Sequence, residues 1–171
     1  VNQGLDFMYY ACPDVPEGLR ALGRKTVKAF GVERRFVHLE FFQLTRVHKG
    51  LGNIGDFVAL EVNMRPAGGY TPDMMNFAHS TDVYKIYADM VCFDERRLPE
   101  AEEQFYCVYA SRKDGHNYTR THEEIMERYG AEMVMQEEMP PINWTVMGRF
   151  LYTAKLKTLE DAREFIDFVQ G

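Results

Sequence analysis

The chain has 171 residues, of which 46% are hydrophobic and 27% charged, the balance of a globular protein long enough for one good core or two small ones. Its formal net charge of −6 and pI near 5.4 offer no basic field to nucleic acid or to an anionic membrane surface. No apolar run approaches the roughly 20 residues that cross a bilayer, so neither a nucleic acid nor a membrane is expected as a partner.

The opening Val1-Asn2-Gln3-Gly4 is neither basic nor followed by an apolar stretch, unlike a signal peptide. It has no Met and reads as the start of a segment in mid-structure, so a longer parent chain is expected. The stretch that ends in Cys12-Pro13-Asp14-Val15-Pro16 reads as irregular, since its prolines oppose a helix. From Glu17 to Phe30, Leu19, Leu22, Val27 and Phe30 recur at helical spacing behind Pro16, and Gly31 ends the helix. Arg35-Phe36-Val37-His38-Leu39-Glu40-Phe41-Phe42 is aromatic and β-branched enough for a strand, as is Phe57 to Met64. Between them Lys49-Gly50-Leu51-Gly52-Asn53-Ile54-Gly55-Asp56 reads as a turn, and the two runs as an antiparallel hairpin. A loop, Arg65-Pro66-Ala67-Gly68-Gly69-Tyr70-Thr71-Pro72, leads into a helix from Asp73 to Val91.

Near residue 94 the composition changes to a charged connector, Asp94-Glu95-Arg96-Arg97-Leu98-Pro99-Glu100. Beyond it the expected elements are strand 104–110, helix 121–129, strands 131–138 and 149–156, and helix 159–169 with Thr158 as its N-cap. The three cysteines, Cys12, Cys92 and Cys107, form no CxxC pair. Reduced, buried thiols in a cytoplasmic protein are expected, with no zinc site or disulfide framework.

Alternation along the strands singles out one constellation. Val58, Leu60, Val62 and Met64 point one way, and Ala59, Glu61, Asn63 and Arg65 the other. In the first strand Phe36, His38, Glu40 and Phe42 share a face, so pairing can set Glu40 and Glu61 on the same side of the hairpin. Two carboxylates and an amide oxygen suit magnesium, which takes a few protein oxygens and completes its shell with phosphate and water. Arg65 offers a planar fork to phosphate or carboxylate, and Gly68-Gly69 lets backbone amides approach an anion. Alternation alone is equally satisfied by the wet face of a half-exposed sheet, where Arg–Glu pairs contribute little.

The stretch Phe36-Val37-His38-Leu39-Glu40-Phe41-Phe42, a glycine-rich turn, and Ala59-Leu60-Glu61-Val62-Asn63-Met64-Arg65-Pro66-Ala67-Gly68-Gly69 resembles the closing hairpin of the ATP-grasp superfamily. Biotin carboxylase, the carbamoyl-phosphate synthase large subunit and ligases that join a carboxylate to an amine belong to it. Lys25-Thr26-Val27-Lys28-Ala29-Phe30-Gly31-Val32 fits the helix before that hairpin, and the resemblance covers residues 17 to 91. It implies an α+β fold, a C-terminal ATP-grasp subdomain with an antiparallel sheet and flanking helices, over residues 1–93. Residues 94–171 would form a small α+β cap with a role in dimerisation or in closing the substrate pocket.

By the same resemblance Glu40, Glu61 and Asn63 would ligate the Mg2+ that bridges the phosphates of ATP. Gly68 and Gly69 would approach the nucleotide, and Arg65 would steady the acyl phosphate or the substrate carboxylate. The implied activity is ATP-dependent ligation of a small-molecule carboxylate to an amine or similar nucleophile. Pro66-Ala67-Gly68-Gly69 is closer to the loop of peptide-forming ligases than to the charged stretch usual in biotin carboxylase. A complete enzyme also has an N-terminal portion and a lysine-bearing lid, and Lys25, Lys28 and Lys49 form no such lid. The remaining N-terminal ATP-grasp portion is therefore an expected partner, and the isolated segment is expected to bind nucleotide weakly and not to turn over. The contrasting expectation is a non-catalytic ATP-grasp-derived interaction domain.

Of the other candidates, His38 shares a face with Glu40 and is either structural, a support for that carboxylate, or a base. His79 follows the Gly-Gly loop as a candidate substrate contact, while His116 and His122 read as solvated. Met74 and Met75 read as core filler, and Trp144 as an anchor for the loop after Pro140-Pro141.

Overall fold

The computed structural model describes residues 4–99, 101 and 103–171; the opening Val1-Asn2-Gln3 and the connector's Glu100 lie outside them. The fold class is α+β. In chain order the elements are β1 (Met8–Ala11), α1 (Glu17–Ala29), β2 (His38–Gln43), β3 (Phe57–Asn63), α2 (Thr71–His79) and α3 (Val83–Phe93). There follow β4 (Tyr106–Arg112), α4 (His122–Tyr129), β5 (Met133–Glu138), α5 (Trp144–Met147), β6 (Phe150–Leu156) and α6 (Leu159–Gln170). No helix among the described residues is long and apolar enough to cross a membrane.

The chain divides into two compact units whose bounds differ from a single cut between residues 93 and 94. One contains Asp14–Pro72 and Asp82–Pro99; the other gathers the described parts of Val1–Pro13, Asp73–Thr81 and Glu100–Gly171. Strand pairing explains the early residues. Met8–Ala11 was expected to be irregular, yet it pairs antiparallel with β4, Met8 opposite Ala110 and Ala11 opposite Cys107. Four residues beside a proline carry no periodic signal, and a partner nearly a hundred positions away supplies the missing hydrogen bonds.

In the second unit β1-β4-β6-β5 form an antiparallel sheet. Alternation puts Val108, Ala110, Tyr152, Ala154 and Leu156 on one face, where they bury against Ile125 and Tyr129 of α4 and Ala162, Phe165, Ile166 and Val169 of α6. The opposite face is also closed: Cys107, Tyr109, Ser111, Leu151 and Thr153 are buried. Tyr109 packs on Phe7 and Tyr9 and donates its hydroxyl proton to Met147 O at 3.0 Å. Gly148 sits at φ 85°, and a Cβ there would come within 2.4 Å of Ser111 Oγ, so only glycine returns the chain to β6 this close to β4. The outer strand β5 ends in Glu137-Glu138, charges that discourage pairing with another chain.

The expected helix from Asp73 to Val91 is two helices. Ser80 takes φ 45°, and Asp82 opens α3 by accepting the Lys85 amide at 3.0 Å, so the Ser-Thr-Asp run acts as a cap rather than as helix interior. His116 and His122 are more than solvated. His116 Nδ1 lies 3.2 Å from Asp6 Oδ2, and His122 Nδ1 lies 3.0 Å from the Tyr152 hydroxyl. Trp144 holds its own loop through an indole hydrogen bond to Met139 O.

The sequence-read cap of α6 is a full capping box. Thr158 Oγ1 accepts the Asp161 amide and Asp161 Oδ2 accepts the Thr158 amide, both at 3.1 Å. Thr158→Ala is expected to cost about 1 kcal/mol and to lower the melting midpoint by about 2–4 °C; an unchanged midpoint in calorimetry would refute the cap's contribution.

The cysteines separate by environment. Burial pushes the Cys107 thiol up to about 12, Lys155 opposing weakly, whereas Cys92 is exposed. Iodoacetamide near neutral pH is expected to label Cys92 and to spare Cys107 until the chain unfolds, because the thiolate is the nucleophile; mass spectrometry of timed digests reads this out. The unfolded chain ionises Cys107 near its ordinary 9.0, so this thiol's share of stability is complete below that pH and is lost as pH rises toward the folded value.

Candidate functional site

The hairpin residues singled out for chemistry, with Arg65, Gly68 and Gly69, lie in the first unit, whereas His79 belongs to the second. The hairpin forms as expected. Its turn is closed by Leu44 N–H to Asp56 O at 2.9 Å, Gly55 N–H to Leu44 O at 2.8 Å, and the Asn53 amide on Asp56 Oδ2 at 2.7 Å. The register sets Glu40 directly opposite Glu61, and His38 opposite Asn63. Cross-strand partners share a face, so these four side chains stand together on one side of the ribbon.

Strict alternation fails beyond them. The register shifts between Glu40 and Phe41: Glu40 faces Glu61 but Phe41 faces Ala59, and Leu60 is left without a partner. This is a β-bulge, one extra residue in β3, and a one-residue slip exchanges the faces of everything past it. Ala59, expected beside Glu61, instead shares the α1 side with Phe41, while Val58, expected among the apolar set, pairs with Phe42 below the carboxylates. Leu60, the extra residue, is 55% exposed.

The other face of the ribbon carries α1. A Cβ on Gly18 would lie 3.9 Å from the Phe57 ring, and one on Gly23 3.8 Å from Leu39 Cδ1. Along this contact runs an open groove of about 540 Å3, lined by Val37, Leu39 and Phe41 on one side and by Val27, Arg20, Arg24 and Lys28 of the helix on the other. Leu39 and Phe41 point into it, so alternation directs Glu40 and His38 away from this groove. The apolar cavity and the carboxylate face are therefore separate features of one hairpin.

On the carboxylate face, Glu40 is 38% exposed in its side chain and its Oε1 lies 3.5 Å from His38 Nε2. Glu61 is exposed and Asn63 half-buried. Two polar atoms behind the carboxylates are buried with no hydrogen-bond partner, His38 Nδ1 and Asn63 Nδ2. Arg65 lies past the end of β3, exposed, with Nη1 donating to Pro66 O at 2.9 Å and no ion pair to either glutamate. Gly68 and Gly69 are open: nothing lies within 4 Å of a Cβ added to either, and Gly69 takes φ 60°. His79, at the end of α2, is half-buried.

Electrostatically this is an unbalanced site, since two like charges directly opposed across a ribbon repel. Among the described residues no three His, Cys, Asp or Glu side chains gather as a group able to hold a metal ion unaided. Two carboxylates with a neighbouring amide still fit Mg2+, which is ordinarily held by one or two carboxylates together with phosphate oxygens and water. The donors are all hard oxygens, and a cation would relieve their repulsion.

The α+β arrangement of antiparallel strands and flanking helices is shared with a solved structure. One structure it resembles is phosphoribosylglycinamide synthetase from Anaerococcus prevotii, with a TM-score of 0.63 at 13% sequence identity. It covers 94% of this chain and 42% of that one, so the chain spans less than half the length of the structure it matches. No protein-family model matches the sequence, and no curated relative does.

Proposed function

We propose that this chain supplies the metal-holding side of an ATP-grasp ligase, in which Mg-ATP activates a carboxylate as an acyl phosphate for attack by an amine or similar nucleophile. The observation that carries this is the register: Glu40 and Glu61 stand directly opposite each other, with Asn63 two residues along the same face. Glu40 and Glu61 would hold Mg2+ through carboxylate oxygens, with Asn63 adding its amide oxygen. When bound, the ion neutralises phosphate charge as the γ-phosphoryl group moves to the substrate carboxylate. Arg65, once free of the Pro66 carbonyl, offers paired N–H donors to the acyl phosphate or substrate carboxylate. Gly68 and Gly69 leave space for an anion to approach their backbone. Adenine binding and the lid would come from the remaining portion of an ATP-grasp enzyme, with small-molecule carboxylate and amine as substrates.

The test is Mg2+-dependent ATP hydrolysis by the protein together with its lid-bearing portion, comparing wild type with Glu61→Gln. Loss of hydrolysis supports the assignment, and undiminished hydrolysis overturns it. A second reading, an interaction domain that retains the fold without the chemistry, draws on the lack of a three-ligand group among the described residues. It predicts no hydrolysis in the wild type and no effect of either glutamate.

A further inference from the structure

We propose that the groove between α1 and β2 is a docking surface for a partner polypeptide, a helix apolar on one face and edged with carboxylates. The inference stands apart from the cation reading, because Leu39 and Phe41 line the groove and alternation turns Glu40 to the other face of the ribbon.

Three observations converge on it. The first is open apolar surface. α1 spans Glu17–Ala29, yet none of its residues is buried. Its Leu19 and Val27 line the groove with Val37, Leu39 and Phe41 across from them, and all five are only half-buried. A helix in a protein is held chiefly by packing of its apolar face, and here one side of that face is still uncovered. The second is charge. The chain is acidic, at −6 overall, but no acidic side chain among the described residues lines this groove, whereas Arg20, Arg24 and Lys28 do. The third is spacing. These three stand at every fourth position of one helix, so they form a single ridge with a repeat of about 6 Å. Arg20 faces Glu17 at 3.6 Å, while Arg24 and Lys28 take part in no ion pair among the described residues.

The shape of that charge decides the occupant. A fatty carboxylate or another single-headed amphiphile carries its charge at one end of an apolar body and meets one of the three cations. A line of cations beside an apolar trough is matched by a line of carboxylates beside an apolar stripe. Glutamates at every fourth position of a helix repeat at the same spacing of about 6 Å, and leucines at i, i+3, i+4 and i+7 supply the stripe. Covering Val27, Leu39 and Phe41 supplies the affinity. Exposed ion pairs add little singly, but along this ridge they choose the sign and the alignment of the partner.

The test uses this chain and a synthetic helical peptide with that leucine pattern and glutamates along its flank, followed by fluorescence anisotropy. A counterpart with lysine in place of each glutamate is expected to bind about tenfold more weakly at low salt, and the gap is expected to close as salt screens the pairs. Arg24→Glu combined with Lys28→Glu, both at exposed positions, is expected to reverse the preference; circular dichroism checks that the variant keeps its helices. A glutamate peptide that does not bind overturns the docking surface, as does a preference that the double variant leaves unchanged. Dodecanoate that binds more tightly than the peptide and displaces it overturns the polypeptide occupant in favour of a small amphiphile.

Discussion

On the function proposed above, Glu61→Gln is expected to reduce Mg2+-dependent ATP hydrolysis by the protein together with its lid-bearing portion by on the order of a hundredfold or more, beyond the range seen when only a group behind a metal ligand is lost. The substitution keeps the volume and one oxygen of the side chain but removes the charge that draws the cation. It does this at the position where β3 meets Glu40. The effect on folding has the opposite sign. Without divalent cation the two glutamates repel across the ribbon, and opposed like charges cost about 0.2–1 kcal/mol. The variant is therefore expected to melt at the same temperature as the wild type or slightly higher in a chelator, and to lack the stabilisation that Mg2+ bound at the proposed site would give the wild type. Melting curves with and without Mg2+, run beside the hydrolysis assay, separate a lost ligand from a lost fold. A variant that melts well below wild type in the chelator would overturn the account of repulsion.

Phe165→Ala is expected to destabilise the unit built on the four-stranded sheet by about 3–5 kcal/mol. Phe165 is fully buried, meets the Tyr129 ring edge-on at 5.0 Å, and belongs to the cluster that joins α4 and α6 to β4 and β6. Its removal forfeits the transfer energy of the ring and leaves a cavity that helices anchored at both ends close only in part. A loss of that size is a large fraction of the roughly 5–15 kcal/mol that holds a domain together. It is expected to appear as a lower urea midpoint with an unchanged slope. A loss under about 1 kcal/mol would mean that the site collapses freely and that the cluster is not the core of this unit.

Local signals carried far in this chain. The strands and the two long helices after residue 104 lie within about two residues of their sequence-read bounds, because α4 and α6 are amphipathic and each opens on a capping box, Thr121 with Glu124 and Thr158 with Asp161, whereas the short α5 had no such signal. The turn after Lys49 announces a hairpin through its glycines, and the spacing of Glu40 and Glu61 about that turn brought them opposite each other. The features that local signals missed all depend on residues distant in the chain. Met8–Ala11 becomes a strand only because β4 is there to pair with it. The bulge at Leu60, which moves Ala59 and Val58 to unexpected faces, is a mismatch between two strands and is written in neither alone.

The candidate site divides in the same way. The residue types, their spacing and the family resemblance pointed to oxygen ligands for a cation, and chemistry of that kind is a property of side chains that can be read one at a time. Tertiary structure decided which of them meet. Glu40 and Glu61 are opposed, Asn63 stands across from His38 rather than from a carboxylate, Arg65 lies apart on the Pro66 carbonyl, and the apolar groove along α1 opens on the other face of the hairpin. Sequence by itself determined the α+β class, the hairpin and the acidic character of one of its faces, because short-range pattern and turn chemistry act within a few residues. The strand register, the bulge and the two unpaired atoms behind the carboxylates were decided by tertiary structure, because pairing between strands is settled by which contacts the whole fold can satisfy at once.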